Sequence, residues 1–565
     1  MADSPTNRTG AEVLAEMLSA YGVTHFFLVP SVFNLGLMEM EKRTDIVRVH
    51  AHGEKAAAYM ADGYARVTGR PGVCAAQVVG ALNLAAGLRD AHLAHSPVIA
   101  LTGGRDPRLK FRHPYQEVDD VPAYEQVTKF NATVDEVTRF PDMIRQAFRS
   151  ATTGCPGPVH LQFQGNEGQI DHESGRMEPA VDTRFASVPP FRPRPEDDDV
   201  AAALAELRAA QRPVLVVGNG AKLSGAGPEV LALAEALQIP MATSLNGKQL
   251  VPASHPLSVG VVGSYSRESA NQVVAAADLV CFVGSEAGGM VTAFWTLPQP
   301  GSDTKVIQID IDAASLGRNY LLAAAVNGDA KVSLQRLLEL NGGQPAPARD
   351  AWLEQVRGIG QRWRAEHAPL FESEDTPIRP ERLATDLSSL VPDNAAIVVD
   401  TGHAGVWMGG YFNIKSAGQR YIRSCGHLGW AFPASLGVKC GAPDRPVVAF
   451  TGDAGMWYHI GELETAVRWK INTVTVVNNN SGGNQTRNGY GWVYEDEPQL
   501  TRQRELWAFT EVDFAKIAED LGAVGIRVDK PDDLPPAMER ALAADRPVVI
   551  DVRTDPDILA PRVGS

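Results

Sequence analysis

The segment TGDAGMWYHIGELETAVRWKINTVTVVNNNSGG, residues 451–483, specifies the architecture of the C-terminal part of the chain. Its pattern predicts the end of a strand, a Gly-Asp turn, a helix, a second strand and an Asn-rich turn. Strands that alternate with helices form a parallel sheet with helices on both faces. Asp453 and Asn480 each follow a strand, so we expect both at the carboxyl edge of one sheet, where ligands bind.

Oxygen ligands at this edge predict a magnesium site. Asp453 supplies a carboxylate oxygen, Asn480 an amide oxygen and Gly482 a backbone carbonyl. Mg²⁺ prefers such ligands and bridges them to phosphate oxygens. A helix beginning after Asp453 would direct its N-terminal N–H groups towards an anion. The alternative interpretation is an ordinary turn followed by an Asn-rich loop.

Two further α/β blocks precede this one. The first contains the apolar runs HFFLVP, VCAAQV and PVIALTG with helical stretches between them, and the second contains PVLVVGNGA, LVCFVGSE and KVIQIDID, a Rossmann-like pattern. Proline-rich or weakly patterned segments at 188–199 and 341–350 separate the blocks. The sequence therefore predicts an α/β protein with three doubly wound parallel-sheet domains, at residues 1–185, 198–345 and 375–557.

Composition narrows the class of protein. Hydrophobic residues make up 44% and charged residues 21%, the ordinary balance of a chain with large buried cores. A net charge of −15 disfavours nucleic acid and anionic membranes as partners. The N-terminus, MADSPTNRTG, has no apolar signal region, and five scattered cysteines fit a reducing compartment. We therefore expect a cytoplasmic protein that binds neither membrane nor nucleic acid.

The segment 451–483 resembles the signature of thiamine-diphosphate-dependent enzymes, which begins Gly-Asp-Gly and ends at Asn-Asn. The resemblance implies thiamine diphosphate and Mg²⁺ as cofactors, and it covers nearly the whole chain. It implies that the three domains are pyrimidine-binding, central Rossmann-like and diphosphate-binding. Ala454 stands where the family often has Gly. The implied metal ligands are Asp453, Asn480 and Gly482, with further cofactor contacts at Gly452, Ala454 and Gly455.

The segment HAHGEKAAAYMADGYARVTGRPGV resembles the family's helix that carries a catalytic glutamate, here Glu54. By this resemblance its carboxyl group contacts the aminopyrimidine ring and promotes the tautomer that deprotonates the thiazolium carbon. The alternatives are a solvated helix N-terminal carboxylate or a partner of Arg66. LVPS, containing Pro30, resembles the turn near the pyrimidine. QVVGALNLAAGLRDA resembles a cofactor loop and contributes Gly80 and Asn83.

Two further segments match cofactor-contacting loops of the family. RSCGHLGWAFPASLG places Leu428 as the apolar wedge that bends the cofactor and the carbonyl of Gly426 near its exocyclic amine. DTGHAGVW places Gly402 and His403 beside the cofactor, where His403 is either a proton shuttle or a packed polar residue. In the family one subunit supplies the pyrimidine side and another the diphosphate side. The resemblance thus implies a homodimer as the minimal active unit and commonly a homotetramer.

The reaction is less sharply indicated. Gln116, in FRHPYQEVDD, matches a position common to carboligases and acyl-CoA lyases of the family. Glu495 lies on a polar, Gly-rich run that is expected to form a loop closing over the substrate. We favour a 2-hydroxyacyl-CoA lyase that releases formyl-CoA and an aldehyde or ketone, with Glu495 as the base for the substrate hydroxyl. The alternative reactions are those of an acetolactate-synthase-like carboligase and of a 2-oxoacid or oxalyl-CoA decarboxylase. The alternative for Glu495 is that it belongs to a solvated acidic loop. In the central domain ADP or CoA is favoured over FAD, and a purely structural domain is the alternative.

Overall fold

Three parallel sheets of six strands each, flanked by helices, build the molecule, and they confirm the predicted α/β class. The computed structural model describes residues 6–497 and 499–561. Residues 1–5, with which the predicted first domain begins, lie outside the described residues. No helix within the described ranges is long and apolar enough to cross a membrane.

The N-terminal part contains a short antiparallel pair, β1 and β8, and one parallel sheet in the spatial order β3-β2-β4-β5-β7-β6. A capping box between Thr9 and Glu12 starts its first helix. The strands are β1 (Thr6–Thr9), β2 (His25–Leu28), β3 (Val47–His50), β4 (Gly72–Ala76), β5 (Val98–Gly103), β6 (Phe130–Val134), β7 (Val159–Phe163) and β8 (Ser174–Met177). The helices are α1 (Gly10–Ala20), α2 (Asn34–Arg43), α3 (Glu54–Thr68), α4 (Ala81–Leu93), α5 (Val121–Tyr124) and α6 (Phe140–Thr152).

The central sheet has the order β11-β10-β9-β12-β13-β14, which is the Rossmann order 3-2-1-4-5-6. Its topological switch point lies between β9 and β12. The strands are β9 (Pro213–Val217), β10 (Met241–Thr243), β11 (Ser258–Val261), β12 (Leu279–Val283), β13 (Lys305–Asp310) and β14 (Ala324–Asn327). The helices are α7 (Asp197–Ala209), α8 (Asn219–Leu223), α9 (Gly227–Leu237), α10 (Glu268–Ala275) and α11 (Ala330–Asn341).

The C-terminal sheet has the order β16-β15-β17-β18-β20-β19, the same connectivity as the N-terminal sheet. The strands are β15 (Ala396–Val399), β16 (Arg420–Arg423), β17 (Val447–Gly452), β18 (Val474–Asn479), β19 (Val524–Val528) and β20 (Val548–Arg553). The helices are α12 (Asp350–Phe371), α13 (Pro380–Leu390), α14 (His403–Gly410), α15 (Ala431–Gly441), α16 (Asp453–Trp457), α17 (Glu462–Arg468), α18 (Asn484–Val493), α19 (Phe514–Asp520) and α20 (Leu534–Leu542).

Eight short 3₁₀ segments complete the described elements. They lie at Val78–Gly80, Pro107–Leu109, Val137–Arg139, Gln169–His172, Thr183–Ala186, Lys248–Leu250, Arg502–Leu506 and Pro531–Asp533.

Helices α3 and α15 join the N-terminal and C-terminal domains. Their backbones pack closely, because a Cβ atom at Gly63 would lie 2.1 Å from the carbonyl oxygen of Ala434. A Cβ atom at Gly437 would lie 1.8 Å from the carbonyl oxygen of Met60. Only glycine permits this approach of two helices. The contact fixes α3, which begins at Glu54, against the domain that carries Asp453.

Two local predictions differ from the structure. The single helix expected after Asp453 is divided into α16 and α17. The polar run after Asn480 was expected to form a loop, and that prediction is wrong for Asn484–Val493, which form α18. Contacts distant in sequence stabilise this helix, since the Arg487 guanidinium lies 4.7 Å from the centre of the Trp507 ring and also pairs with Asp557.

Candidate active site

A cavity of 680 Å³ lies at the carboxyl edge of the C-terminal sheet, and we call it the C-terminal cavity. Loops after β15, β17 and β18 form most of its wall, as expected for ligand sites of parallel sheets. All its lining residues belong to the C-terminal domain. The lining includes Gly402, His403, Leu428, Gly452, Asp453, Ala454, Gly455, Asn480 and Gly482, each identified from the sequence as a cofactor contact.

Asp453 and Asn480 meet in this wall. The Asp453 carboxylate accepts the N–H of Ala454 at 2.8 Å and the N–H of Gly482 at 2.9 Å. Burial raises the pKa of Asp453 to about 7, because the charged form is separated from water. The Asn480 side-chain oxygen is buried and has no hydrogen-bond partner among the described residues. The Gly482 carbonyl accepts the N–H of Asn484 and keeps a second lone pair.

This arrangement fits a hard divalent cation. An unpaired buried amide oxygen is costly unless a ligand satisfies it. A cation beside Asp453 would also offset the cost of burying its carboxylate. Mg²⁺ accepts carboxylate, amide and backbone carbonyl oxygens. The residues present therefore suit Mg²⁺ and the diphosphate group that it would bridge.

His403 and Leu428 face the same cavity from two other loops. Gly402 precedes α14 with φ +66° and ψ −147°, a conformation that only glycine adopts readily, and it turns the chain into the helix. Both ring nitrogens of His403 are buried without a partner among the described residues, and burial lowers its pKa to about 4. His403 is thus a neutral imidazole at pH 7 that can hydrogen-bond a ligand. Leu428 lies beside Gly402, 3.6 Å from the position of a Cβ there.

Glu54, Gly80 and Asn83 form a second group in the N-terminal domain. The Asn83 side-chain amide donates to Glu54 Oε2 at 3.2 Å. Gly80 lies directly against the glutamate, since a Cβ atom at position 80 would lie 2.4 Å from Glu54 Oε1. These contacts hold the Glu54 carboxylate at the N-terminus of α3. The structure therefore brings together residues that the sequence analysis took from two separate motifs.

Replacing Gly80 with alanine is expected to displace Glu54 and lower turnover by about 10- to 100-fold, because a misplacement of about 1 Å in a catalytic group costs about 100-fold. The control is Gly53→Ala, whose Cβ would have no atom within 4 Å. Steady-state kinetics and thermal unfolding should show lower kcat for Gly80→Ala with a smaller effect of Gly53→Ala. Equal kcat in both variants would contradict the proposed contact between Gly80 and Glu54.

Several predicted residues lie outside the C-terminal cavity of the same chain. Glu54, Pro30 and Gln116 do not line it. Pro30 occupies the turn after β2, and Gln116 lies half-buried in the β5–α5 connection with φ +64°. Glu495 follows α18 in an exposed turn, so the burial expected for a general base is not found in this structure. The roles of Gln116 and Glu495 remain predictions.

Models of thiamine pyrophosphate enzymes match all three domains: the N-terminal TPP binding domain at residues 8–123, the central domain at 200–337 and the C-terminal TPP binding domain at 400–552. The chain is 32% identical to a probable acetolactate synthase large subunit from Methanocaldococcus jannaschii, over 98% of this chain and 93% of that protein. The chain belongs to the thiamine pyrophosphate enzyme family. It is therefore a thiamine-diphosphate-dependent enzyme.

Other members of the family are similar over nearly their full length. The acetolactate synthase large subunit of Corynebacterium glutamicum is 30% identical, over 97% of this chain and 87% of that protein. The sulfoacetaldehyde acetyltransferase of Alcaligenes xylosoxydans xylosoxydans is 29% identical, over 94% of this chain and 90% of that protein. These relatives favour the carboligase alternative over the 2-hydroxyacyl-CoA lyase.

A second cavity, of 560 Å³, lies where the three domains of this thiamine pyrophosphate enzyme meet, and we call it the central cavity. It includes the turns after β9 and β12, at the switch point of the Rossmann sheet. Asp310, at the end of β13, lines it, and burial raises the pKa of this carboxyl to about 6. Gly426, predicted to contact the cofactor, lines this central cavity, whereas Leu428 lines the C-terminal one.

Sequence reasoning missed three residues of this family member's site. Asn478 lines the C-terminal cavity and lies two residues before Asn480, so the alternation of a strand could have identified it. Asp400 follows β15 just as Asp453 follows β17, and the rule that placed Asp453 applies equally to it. Trp507 reaches the cavity from a distant segment, where its carbonyl accepts the N–H of Gly483 at 2.7 Å. No local pattern predicts that contact.

Proposed function

We propose that this enzyme binds Mg²⁺–thiamine diphosphate in the C-terminal cavity and transfers an acyl unit from a 2-oxoacid to an acceptor, as an acetolactate-synthase-like carboligase. The observation that carries the proposal is the buried Asn480 oxygen, which has no hydrogen-bond partner among the described residues and lies in the same cavity wall as the buried Asp453 carboxylate. Such a pair is suited to a metal-bridged diphosphate. The similarity to acetolactate synthases and to a sulfoacetaldehyde acetyltransferase supports acyl transfer as the reaction class.

Each residue of the site has a distinct task in this proposal. When bound, the thiazolium ring of the cofactor supplies an electron sink for the cleaved bond. Asp453, Asn480 and the Gly482 carbonyl hold the metal, and Leu428 shapes the space beside Gly402. Glu54 holds and moves a proton at its carboxylate, where Asn83 keeps it oriented.

We infer that two copies of the chain complete one site. Glu54 does not line the C-terminal cavity of its own chain. Apolar side chains are exposed near Glu54, where Val79 is 58% and Leu82 is 50% exposed, and at the cavity rim, where Tyr458 is 54% exposed. Exposed apolar surface of this kind marks an interaction site. A homodimer is the smallest unit that joins the two halves, and a homotetramer is our proposal for the full assembly.

Mixing two inactive subunits tests the shared site. Co-expressed Glu54→Gln and Asp453→Ala chains should recover about a quarter of wild-type activity, because half of randomly formed twofold dimers are mixed and each mixed dimer has one intact site of two. Mixed dimers isolated with two different affinity tags should show about half of wild-type activity, because every such dimer keeps one intact site of two. If each site were built within one chain, the mixed dimers would remain inactive.

The substrate is tested by a product screen. Mass spectrometry after incubation with pyruvate should detect a carboligation product such as acetolactate, and sulfoacetaldehyde is the second substrate to screen, because one relative is a sulfoacetaldehyde acetyltransferase. A 2-hydroxyacyl-CoA is the third arm of the screen. Formyl-CoA from that arm, without any product from pyruvate, would overturn the carboligase proposal in favour of the lyase.

We propose further that the central cavity takes an adenosine-containing nucleotide. The Rossmann strand order, the Gly-containing junction of β9 and α8 at residues 217–221 and the Asp310 carboxylate suit an adenosine and its ribose. ADP, CoA and FAD share that chemistry. Absorbance of the purified protein near 450 nm would identify FAD, and thermal shifts on adding ADP or CoA distinguish the other two. The absence of any spectrum or shift would favour a purely structural domain.

A further inference from the structure

Residues 424–428 form a loop of the C-terminal domain. A carboxylate of the N-terminal domain accepts hydrogen bonds from the backbone of this loop. Asp90, near the end of α4 in the N-terminal domain, accepts the N–H of Cys425 at 2.8 Å and the N–H of His427 at 3.3 Å. The Ser424 hydroxyl donates to the same carboxylate at 2.9 Å and accepts the N–H of Gly426 at 3.1 Å. Three consecutive loop N–H groups are thus oriented by Asp90, directly or through Ser424.

Asp90 belongs to a buried ionic cluster that the Gly-Tyr-Ala-Arg stretch of α3 supplies. Arg66 donates to Asp90 at 2.7 Å and to Asp62 at 2.8 and 2.5 Å, while its other amino group donates to the Arg423 carbonyl at 2.6 Å. The side chains of Asp62 and Asp90 have no exposed surface, and that of Arg66 is 7% exposed. Arg66 pairs with both carboxylates, and Asp62 also accepts the indole N–H of Trp430 at 3.0 Å. The remaining hydrogen-bonding capacity of Asp90 is taken by the loop N–H groups, so the position of Asp90 specifies their direction.

The direction of these N–H groups determines where the loop carbonyls point. The peptide that joins Gly426 to His427 is planar and trans, so its C=O points away from its N–H. Because the His427 N–H points to Asp90, the Gly426 carbonyl points to the opposite side. Gly426 has φ +145°, a backbone conformation that favours glycine. Asp90 therefore orients the carbonyl that the sequence predicted to contact the cofactor amine.

The far end of the same loop is held by a second buried carboxylate. The N–H of Gly429 donates to both oxygens of Asp400 at 3.1 Å, and Thr451 donates to the same group at 2.8 Å. Leu428 lies between the Asp90 and Asp400 contacts, facing the C-terminal cavity. The loop is thus fixed on both sides of the apolar side chain that borders the cofactor space.

We infer that Asp90 is a positioning residue for the cofactor site: from the N-terminal domain it fixes the Gly426 carbonyl and the place of Leu428 in the C-terminal domain of the same chain. The inference deepens the proposed function and rests on it for the identity of the cofactor. The hydrogen bonds themselves are independent of any ligand. Asp90 acts on the cofactor through the loop and is not itself a wall of the C-terminal cavity.

The test compares Asp90→Asn with Asp62→Asn. Each variant removes one buried carboxylate and leaves Arg66 paired with the other, but only Asp90 accepts N–H groups of residues 425–427, whereas Asp62 accepts the side-chain N–H of Trp430. In the assembled protein without cofactor, hydrogen exchange in peptides covering 425–427 should become about tenfold faster in Asp90→Asn, since asparagine offers one neutral acceptor oxygen where Asp90 offers two charged ones. Exchange at Gly429, held by Asp400, should change little. Asp62→Asn should leave both regions at wild-type rates.

The second measurement is the affinity for thiamine diphosphate with Mg²⁺, by titration calorimetry. The dissociation constant should rise about tenfold in Asp90→Asn and less than about twofold in Asp62→Asn, in line with the effect of outer-shell partners on ligand sites. Unchanged loop exchange in Asp90→Asn, unchanged affinity, or equal losses in both variants would overturn the inference. If the wild-type protein bound no thiamine diphosphate, the proposed function would be wrong. Faster hydrogen exchange of the loop in Asp90→Asn, but not in Asp62→Asn, would still show that Asp90 orients the loop.

Discussion

Asp453→Ala is expected to abolish metal-dependent binding of thiamine diphosphate, with affinity falling by more than about 100-fold, because losing outer-shell partners alone costs 10- to 100-fold in metal affinity. The variant removes the only charged residue among the three implied metal ligands and releases the N–H of Gly482, which Asp453 accepts at 2.9 Å. The diphosphate would then lack its neutralising cation. Titration calorimetry with thiamine diphosphate, with Mg²⁺ and with EDTA, measures the loss.

Two controls separate ligand loss from unfolding. Asp453→Asn keeps the side-chain shape and should also lose binding, because an amide lacks the charge. Asp513→Ala removes the carboxylate that caps α19 and accepts the N–H of Lys516 at 3.1 Å, away from the C-terminal cavity. That change should cost about 1 kcal/mol of stability, a typical value for an N-cap, and leave cofactor affinity intact. Cofactor binding by Asp453→Ala that is unaffected by EDTA would refute the assigned metal site.

Glu54→Gln is expected to bind the cofactor but to lose about 100- to 10,000-fold in turnover, the range contributed by a general acid–base group. Glutamine retains an acceptor for the Asn83 amide and fits the space against Gly80. It cannot give up and recover a proton. Proton–deuterium exchange at the thiazolium carbon of the bound cofactor, followed by NMR after acid quench, should slow in parallel with turnover.

Glu39→Gln provides the matched control for Glu54. Glu39 is a buried glutamate of the N-terminal domain, paired with Lys42 and Arg43 on α2. Its loss should alter stability without changing the exchange rate at the thiazolium carbon. Rapid exchange in Glu54→Gln, at saturating cofactor, would show that another group activates the cofactor.

Local patterns were sufficient for the sheets and for placing Asp453 and Asn480 at one sheet edge. Buried parallel strands are short, mostly apolar runs, such as the VVAF of β17 and the VTVV of β18, and their composition and length identify them without knowledge of the neighbouring strands. Asp453 and Asn480 follow two strands that pair directly in the sheet, so their proximity follows from the strand order alone. The contact of Glu54 with Gly80 and Asn83 likewise arises at one edge of one sheet, after β3 and β4.

Irregular segments could not be predicted in the same way. Helix α18 contains Asn488, Gly489 and Gly491 within four consecutive residues, and all three are poor helix formers. Its stability comes from Arg487, which contacts Trp507 and Asp557 in segments that arrive later in the chain. Local sequence patterns therefore could not predict where Glu495 lies, directly after this helix, or that its side chain is exposed.

The sequence by itself determined the parallel α/β class, the carboxyl-edge position of Asp453 and Asn480 and the family resemblance, because each depends on residue type and spacing within one βαβ unit. Tertiary structure decided which surfaces meet. The hold of Asp90 on the loop around Gly426 joins residues more than 330 positions apart, and Gly63 and Gly437 matter only because two helices touch there. Such contacts form when whole domains pack against each other. The free energy of that packing is distributed over residues that lie far apart in the sequence, so no local pattern contains it.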